Sequence, residues 1–395
     1  MIQDILLELA KGFGKLFLHP LFYFSFIFSV CIGLWRVKRE RKDFDISVYD
    51  IYHELRMLLP AGLVAGVIIS ACTLALGVEV SWFSCALLAT TTLLLSFFRA
   101  RFLSPAWIFG GAAILYYVAK AAGMGLPNAD STVSEPLVFV SLSVLAGLLL
   151  IGEGALIYRN AWRDTSPRLV QSPRGLTVGA HYSQRTWLIP VFLLLPADHI
   201  RSSLDWWPFF SIGAQSFTLF FFPFLIGFER TMTASIPERA LKETGRKVIW
   251  LGVFTLLLAF VSHWLPVISY AALIFAFAGR LAISYFDHNR QKSQPHFFTP
   301  STKGVLILGV LPFTPAHKMG LKSGEIIRKT NGVEVNSEKE FYEALQRNRA
   351  FCKLEVYDVN GQVRFAQSSL YEGEHHELGL IFIDEERHIN GSAVS

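Results

Sequence analysis

Four short stretches carry residue types that could do chemistry. His53-Glu54-Leu55-Arg56-Met57 is one residue away from a helical zinc-protease signature, in which two imidazoles four residues apart flank a glutamate base. Met57 stands where the second imidazole would be, so metal-assisted hydrolysis is not expected. His375-His376 places two imidazoles side by side in a polar stretch, and its expected setting is solvated surface. Glu153 is the one carboxylate well inside an apolar run, Leu150-Ile151-Gly152-Glu153-Gly154. It is expected to pair with Arg159 or Arg163; the alternative is a transport or proton-relay role. Leu378-Gly379-Leu380-Ile381 is a different kind of candidate. A glycine between apolar residues lets backbone N–H groups converge on a peptide carboxylate, and the strand after it offers an edge for β-augmentation. No Gly-x-Ser-x-Gly elbow and no Walker-type phosphate loop occurs. The expectation is a non-enzyme with no metal and no cofactor.

The elements that hold these residues follow from charge. Of 395 residues 52% are hydrophobic and 17% charged, below the ~25% of an average soluble chain. That mean hides a break. Residues 1–286 hold 40 charged side chains, 14% of that stretch, and residues 287–395 hold 27, or 25%. All nine Trp precede residue 287, as anchors at a bilayer interface would. Apolar runs near 17–35, 59–77, 80–98, 104–122, 136–158, 187–205, 207–228, 248–264 and 266–286 read as helical spans. The sixth is the weakest, solidly apolar only from Trp187 to Ala197, and fits a short, tilted or re-entrant segment; the last two meet at Pro266. The expected fold is a polytopic α-helical membrane domain of eight or nine spans at 17–286. An amphipathic interfacial segment at 1–16 precedes it. A linker at 287–302, a small α+β domain at 303–384 and a tail at 385–395 follow.

Loops 36–58, 99–103, 159–186 and 229–247 hold 18 Lys and Arg, against four on the opposite side. By the positive-inside rule the polar C-terminal part is cytoplasmic. Lys120, His263 and Arg280 lie near span ends, close enough to snorkel. The four Cys have neither zinc nor redox spacing, which points to a reducing compartment. The net charge of +5 is +6 in the membrane part and −1 in the tail, so it sets topology and does not suggest nucleic acid.

From Gly304 the pattern becomes short strands and turns. Val305–Val310 is β-rich, Pro315 opens a short helix that Gly320 ends, and Glu325–Thr330 is a strand running into the turn Asn331-Gly332. Ser337 and Glu340 form a capping box, and Phe341, Ala344 and Leu345 make one apolar stripe behind it. Lys353–Tyr357 alternates as a strand, and Asn360-Gly361 turns it back into Gln362–Leu370.

Gly304-Val305, Val310-Leu311-Pro312, Thr314-Pro315-Ala316, Gly320-Leu321-Lys322-Ser323-Gly324-Glu325-Ile326-Ile327 and Asn331-Gly332 together resemble a bacterial PDZ domain. Glu325 replaces the usual Asp, and the order looks circularly permuted. The resemblance implies that Leu378-Gly379-Leu380-Ile381 is the carboxylate-binding loop and that the helix from Glu338 forms the opposite groove wall. Phe341 and Leu345 on that helix divide between groove and core. With Leu18-His19-Pro20-Leu21, Arg36-Val37-Lys38-Arg39-Glu40-Arg41-Lys42 and Asp50-Ile51-Tyr52-His53-Glu54-Leu55, the whole layout resembles the PDZ-containing membrane adaptors of the Gram-positive Min division-site system. That family implies a scaffold at septum and poles bridging DivIVA-like and MinD-like proteins. The other readings are a transporter or channel subunit using Glu153, and a regulatory partner of an intramembrane protease.

Overall fold

The computed structural model describes residues 2–123, 135–173, 175–201, 206–213, 216–348, 351–369 and 378–383. His375-His376 lies outside the described residues. The first half is helical: α1 (Ile2–Leu18), α2 (Pro20–Phe44), α3 (His53–Leu58), α4 (Pro60–Leu76), α5 (Trp82–Ser96), a 3-10 turn (Ala100–Leu103), α6 (Pro105–Ala121) and α7 (Glu135–Leu156), which ends in a π turn, Ile157–Ala161. His19 separates α1 from α2 and caps α2, its Nδ1 accepting from the Leu21 N–H at 3.2 Å, with Pro20 at the first position. Helices α8 (Pro237–Val261) and α9 (Ile268–Ser293) close the membrane part. Among the described residues five helical stretches are long and apolar enough to cross a membrane: Pro20–Phe44, His53–Leu76, Glu135–Ala161, Pro237–Val261 and Ile268–Ser293; Trp82–Ser96 is shorter.

Two expected helical spans are strands instead. β1 (Ser166–Gln171), β2 (Thr177–Arg201) and β3 (Ser216–Met232) form an antiparallel sheet in that order. β2 and β3 pair from His181↔Met232 to Arg201↔Ser216, slipping once between Pro196 and Ile200. Runs 187–205 and 207–228 were expected as helices because a segment apolar on both faces shows neither a 3.6 nor a 2.0 period. Prolines mark the difference. Pro190 faces Pro223 across the ladder, and in a helix each would cost a hydrogen bond and a steric clash.

Helices shield the sheet. On the outward edge of β2, Phe192 N–H donates to Ser70 Oγ at 2.9 Å, Thr73 Oγ1 donates to the Phe192 carbonyl at 2.8 Å, and Val80 N–H donates to the Leu194 carbonyl at 2.8 Å. Pro190 has no N–H to satisfy. Gly62 and Gly66 of α4 let the helix backbone meet this edge directly: a Cβ there would stand 2.1 Å from the Leu188 oxygen and 2.4 Å from the Pro190 oxygen. On the β3 side, Gly12 of α1 packs over Leu219, and the carbonyl of Ala100 in the 3-10 turn faces Gly227.

The C-terminal module contains β4 (Val305–Leu306), β5 (Gly309–Val310), α10 (Pro315–Lys318), β6 (Ile326–Thr330), β7 (Val333–Glu334), α11 (Glu338–Gln346), β8 (Phe351–Tyr357), β9 (Val363–Ser369) and β10 (Leu380–Ile381). One sheet runs β4-β6-β8-β9 with β7 beside β6, and β10 pairs with β5 separately. Ile307, Ile327, Phe341, Leu345, Leu354 and Val356 centre its core.

The module sits directly against the membrane part. Helix α9 continues to Ser293, and Phe298, inside the stretch expected to link the two parts, is fully buried with Val48, Leu308 and Ile381. Gly179 N–H donates to the Phe298 carbonyl at 2.9 Å, and His181 Nε2 lies 2.9 Å from the Leu308 carbonyl. Burial pushes the His181 imidazole down to about 4, so it is neutral at ordinary pH and Nε2 is the donor.

Candidate functional site

The site rises from a helix cap and a strained glycine. Ser337 Oγ accepts from the Glu340 N–H at 3.2 Å, and Glu340 reaches back to the Asn336 N–H at 2.8 Å, so α11 starts where the capping box requires. Its buried stripe of Phe341, Ala344 and Leu345 faces the module core. Opposite it, Gly379 has a φ of +84°, and a Cβ there would lie 2.3 Å from Thr314 Oγ1. Only glycine meets both conditions without strain. The chain then enters β10, where Leu380 pairs with Val310 and Ile381 with Gly309.

The hydrogen bonds give the strand its direction. Leu308 N–H donates to the Ile381 carbonyl and Leu311 N–H to the Gly379 carbonyl, both at 2.8 Å. Backbone groups alternate along an antiparallel strand. Residues 379 and 381 therefore face β5, and those of Leu380 and Phe382 face the other way. Among the described residues β10 has no second strand neighbour.

The six residues expected at the site divide. Phe341, Leu345, Leu378 and Leu380 are gathered in one buried cluster, the core of the module. Gly379 shapes the loop. Ile381 points the other way and packs with Val48, Phe298, Leu306 and Leu308 at the junction with the membrane part. Sequence reading missed Phe382, whose ring lies 5.3 Å from Phe341 and 6.4 Å from Tyr342. The signal was there: Leu378, Leu380 and Phe382 alternate on one strand face. Cys352, under the same sheet, is pushed up to about 12 by burial and is an inert thiol.

The two carboxylates weighed for chemistry are both saturated by partners. Glu153 was expected to pair with Arg159 or Arg163, yet its partner is Arg280 on α9, with Nη2 at 2.9 Å from Oε1. Ser104 donates to its Oε2 at 2.6 Å. Arg280 was expected to snorkel and is instead only 4% exposed. Helix–helix distance in sequence hid the pair: 127 residues separate them.

Glu54 takes Arg36 Nη1 at 2.9 Å and Arg185 Nη1 at 3.3 Å. Glu40, one turn after Arg36, accepts from Ser166 Oγ at 2.6 Å and the Val48 N–H at 2.8 Å. All four of these charged side chains are buried. The basic stretch 36–42 and the His53-Glu54 motif thus meet in one network that ties α2, α3, β1 and β2 together. Its groups are a clamp; a zinc ligand set would need a second imidazole near His53.

Helices of membrane-crossing length, a shielded β-hairpin among them and a small docked α+β module together define a membrane-type protein carrying a C-terminal α+β module. No family model matches the chain. It is 38% identical over 388 residues, 96% of each chain, to the cell division topological determinant MinJ of Bacillus subtilis (strain 168). It is 26% identical over 373 residues to the probable cell division topological determinant MinJ of Lacticaseibacillus paracasei, covering 91% of this chain and 96% of that one. The chain belongs to the MinJ family.

Proposed function

We propose that this chain is a non-enzymatic membrane adaptor in division-site selection, and that its C-terminal module is a circularly permuted PDZ domain that captures a partner's peptide or C-terminus. The observation that carries the reading is the outward edge of β10, which has no strand on it among the described residues and where the Phe382 ring packs on Phe341 of α11. A peptide added there would pair with the Leu380 and Phe382 backbone, its carboxylate would meet the loop at Gly379, and Phe341, Leu345, Tyr342 and Phe382 would form the floor.

The four basic loops meet at one end of the molecule: Arg36 and Arg185 share Glu54, Arg39 donates to Ser166, and Arg39, Arg99, Arg168 and Glu229 line one cavity. With 18 of 22 loop and tail cations there, that end is the cytoplasmic one and carries the module. The membrane part then crosses with α2, α4, α5, α6, α7, α8 and α9, and β2–β3 enters from the cytoplasmic side as a re-entrant hairpin. Division proteins like DivIVA and MinD are the partners the family resemblance suggests. Transport by Glu153 draws no support from a carboxylate already saturated by Arg280 and Ser104.

The test is imaging in dividing cells. A fluorescent fusion of the whole chain is expected at septa and poles, and deleting 300–395 is expected to leave it membrane-inserted while a cytoplasmic partner loses its septal position. Unchanged partner localisation in the deletion would sink the reading.

A further inference from the structure

We propose that a cavity at the basic end of the membrane part binds the phosphate of an acidic phospholipid headgroup. The cavity, about 460 Å³, lies between the 3-10 turn, the start of α6, the end of β3 and the last turns of α9. Arg99, Arg101, Arg230 and Arg280 line it, together with the carboxylates of Glu229 and Asp287. The inner two arginines are already balanced: Arg280 by Glu153 at 2.9 Å and Arg230 by Asp287 at 2.8 Å. Arg99 and Arg101 have no carboxylate partner among the described residues; the contact found for Arg101 is the face of Phe102, 4.8 Å away. Against Glu153, Asp287 and Glu229 the four arginines leave the cavity net positive, and the two guanidinium groups at its mouth have no carboxylate contact among the described residues; a guanidinium fork matches a phosphate.

Its opening selects the source of that phosphate. On α9 the neighbouring Leu281, Tyr285 and Phe286 are 50%, 60% and 67% exposed. α9 is one of the membrane-length helices, so this exposed apolar face meets acyl chains while the arginines sit at its basic end, at headgroup depth. Trp107 and Tyr285 on the cavity wall are the aromatic types that favour that depth. A soluble phosphate compound would share the chemistry of the headgroup but gain nothing from the apolar face. Basic pockets between membrane helices hold anionic headgroups by this combination.

The experiment uses the full chain in nanodiscs of phosphatidylcholine, with and without phosphatidylglycerol, and a fluorescent phosphatidylglycerol as probe. Phosphatidylglycerol is expected to raise the melting midpoint, and Arg99→Gln/Arg101→Gln to weaken probe binding about thirtyfold, roughly fivefold per arginine. Arg99→Lys/Arg101→Lys is expected to recover most of the loss, which separates charge from folding. Inorganic phosphate added to phosphatidylcholine discs is expected to leave the midpoint unchanged. Equal probe binding by wild type and the Gln variant overturns the site, and a midpoint rise with inorganic phosphate alone overturns the lipid assignment.

Discussion

The hairpin β2–β3 and the pair β5–β10 each present an edge that no further strand covers among the described residues, and the molecule treats those edges in opposite ways. Around the hairpin the outward backbone of Leu188, Pro190 and Phe192 meets α4 or its side chains, and the Leu194 carbonyl accepts from the Val80 N–H. Beside β10 the outward groups of Leu380 and Phe382 meet no strand among the described residues. The lesson is solvent. In hydrocarbon an unpaired backbone group costs several kcal/mol, so an edge must be sealed by the protein itself. Next to water an edge can stay open at little cost and remain available to a partner.

The same contrast holds for charge, and it can be broken there most severely. Arg280→Met leaves Glu153 buried and unmatched, and is expected to cost about 4 kcal/mol; Glu153→Gln added to it should return most of that in a melting experiment in detergent. Gly66→Val drives a side chain into the Pro190 carbonyl, and a loss of about 3 kcal/mol is expected from overpacking. Full stability in that variant would mean that α4 does not seal β2.

The junction between the two regions should respond to acid. The folded His181 holds its proton only below about 4, against 6.5 for a free imidazole. Release of the module frees the ring to take up a proton, so docking is fully stable above the free value and weakens as pH falls between the two. About 2 kcal/mol should disappear from roughly pH 7.5 to pH 5. Hydrogen exchange at Gly179, whose N–H donates to the Phe298 carbonyl across the junction, reads this, and His181→Gln, which can still donate to Leu308, should flatten it. The smallest effect is expected from Ser70→Ala, which strips one hydrogen bond from the β2 edge and should cost about 1 kcal/mol. A variant as stable as wild type would show the sealing there to be by close packing alone.

Much of the module was legible because each element carries its own punctuation. Pro315 and Gly320, Asn331-Gly332, Ser337 with Glu340, and Asn360-Gly361 are local instructions, and the strands and helices stop where they are placed. Leu378-Gly379-Leu380 was legible as a loop for the same reason. That Ile381 turns toward Val48 and Phe298 was not, because its neighbours lie more than 80 residues away on another part of the chain.

The sequence by itself determined the division into an apolar and a polar part and the local elements of the module, since these depend on composition and short-range spacing. Tertiary structure alone decided that two of the apolar runs are strands, that Glu153 answers to Arg280, and that the module rests on His181. The physical reason is common to all three. Where both faces of a segment are apolar, or a charge finds its partner a hundred residues on, the deciding interaction is absent from the local pattern and exists only once the chain has packed.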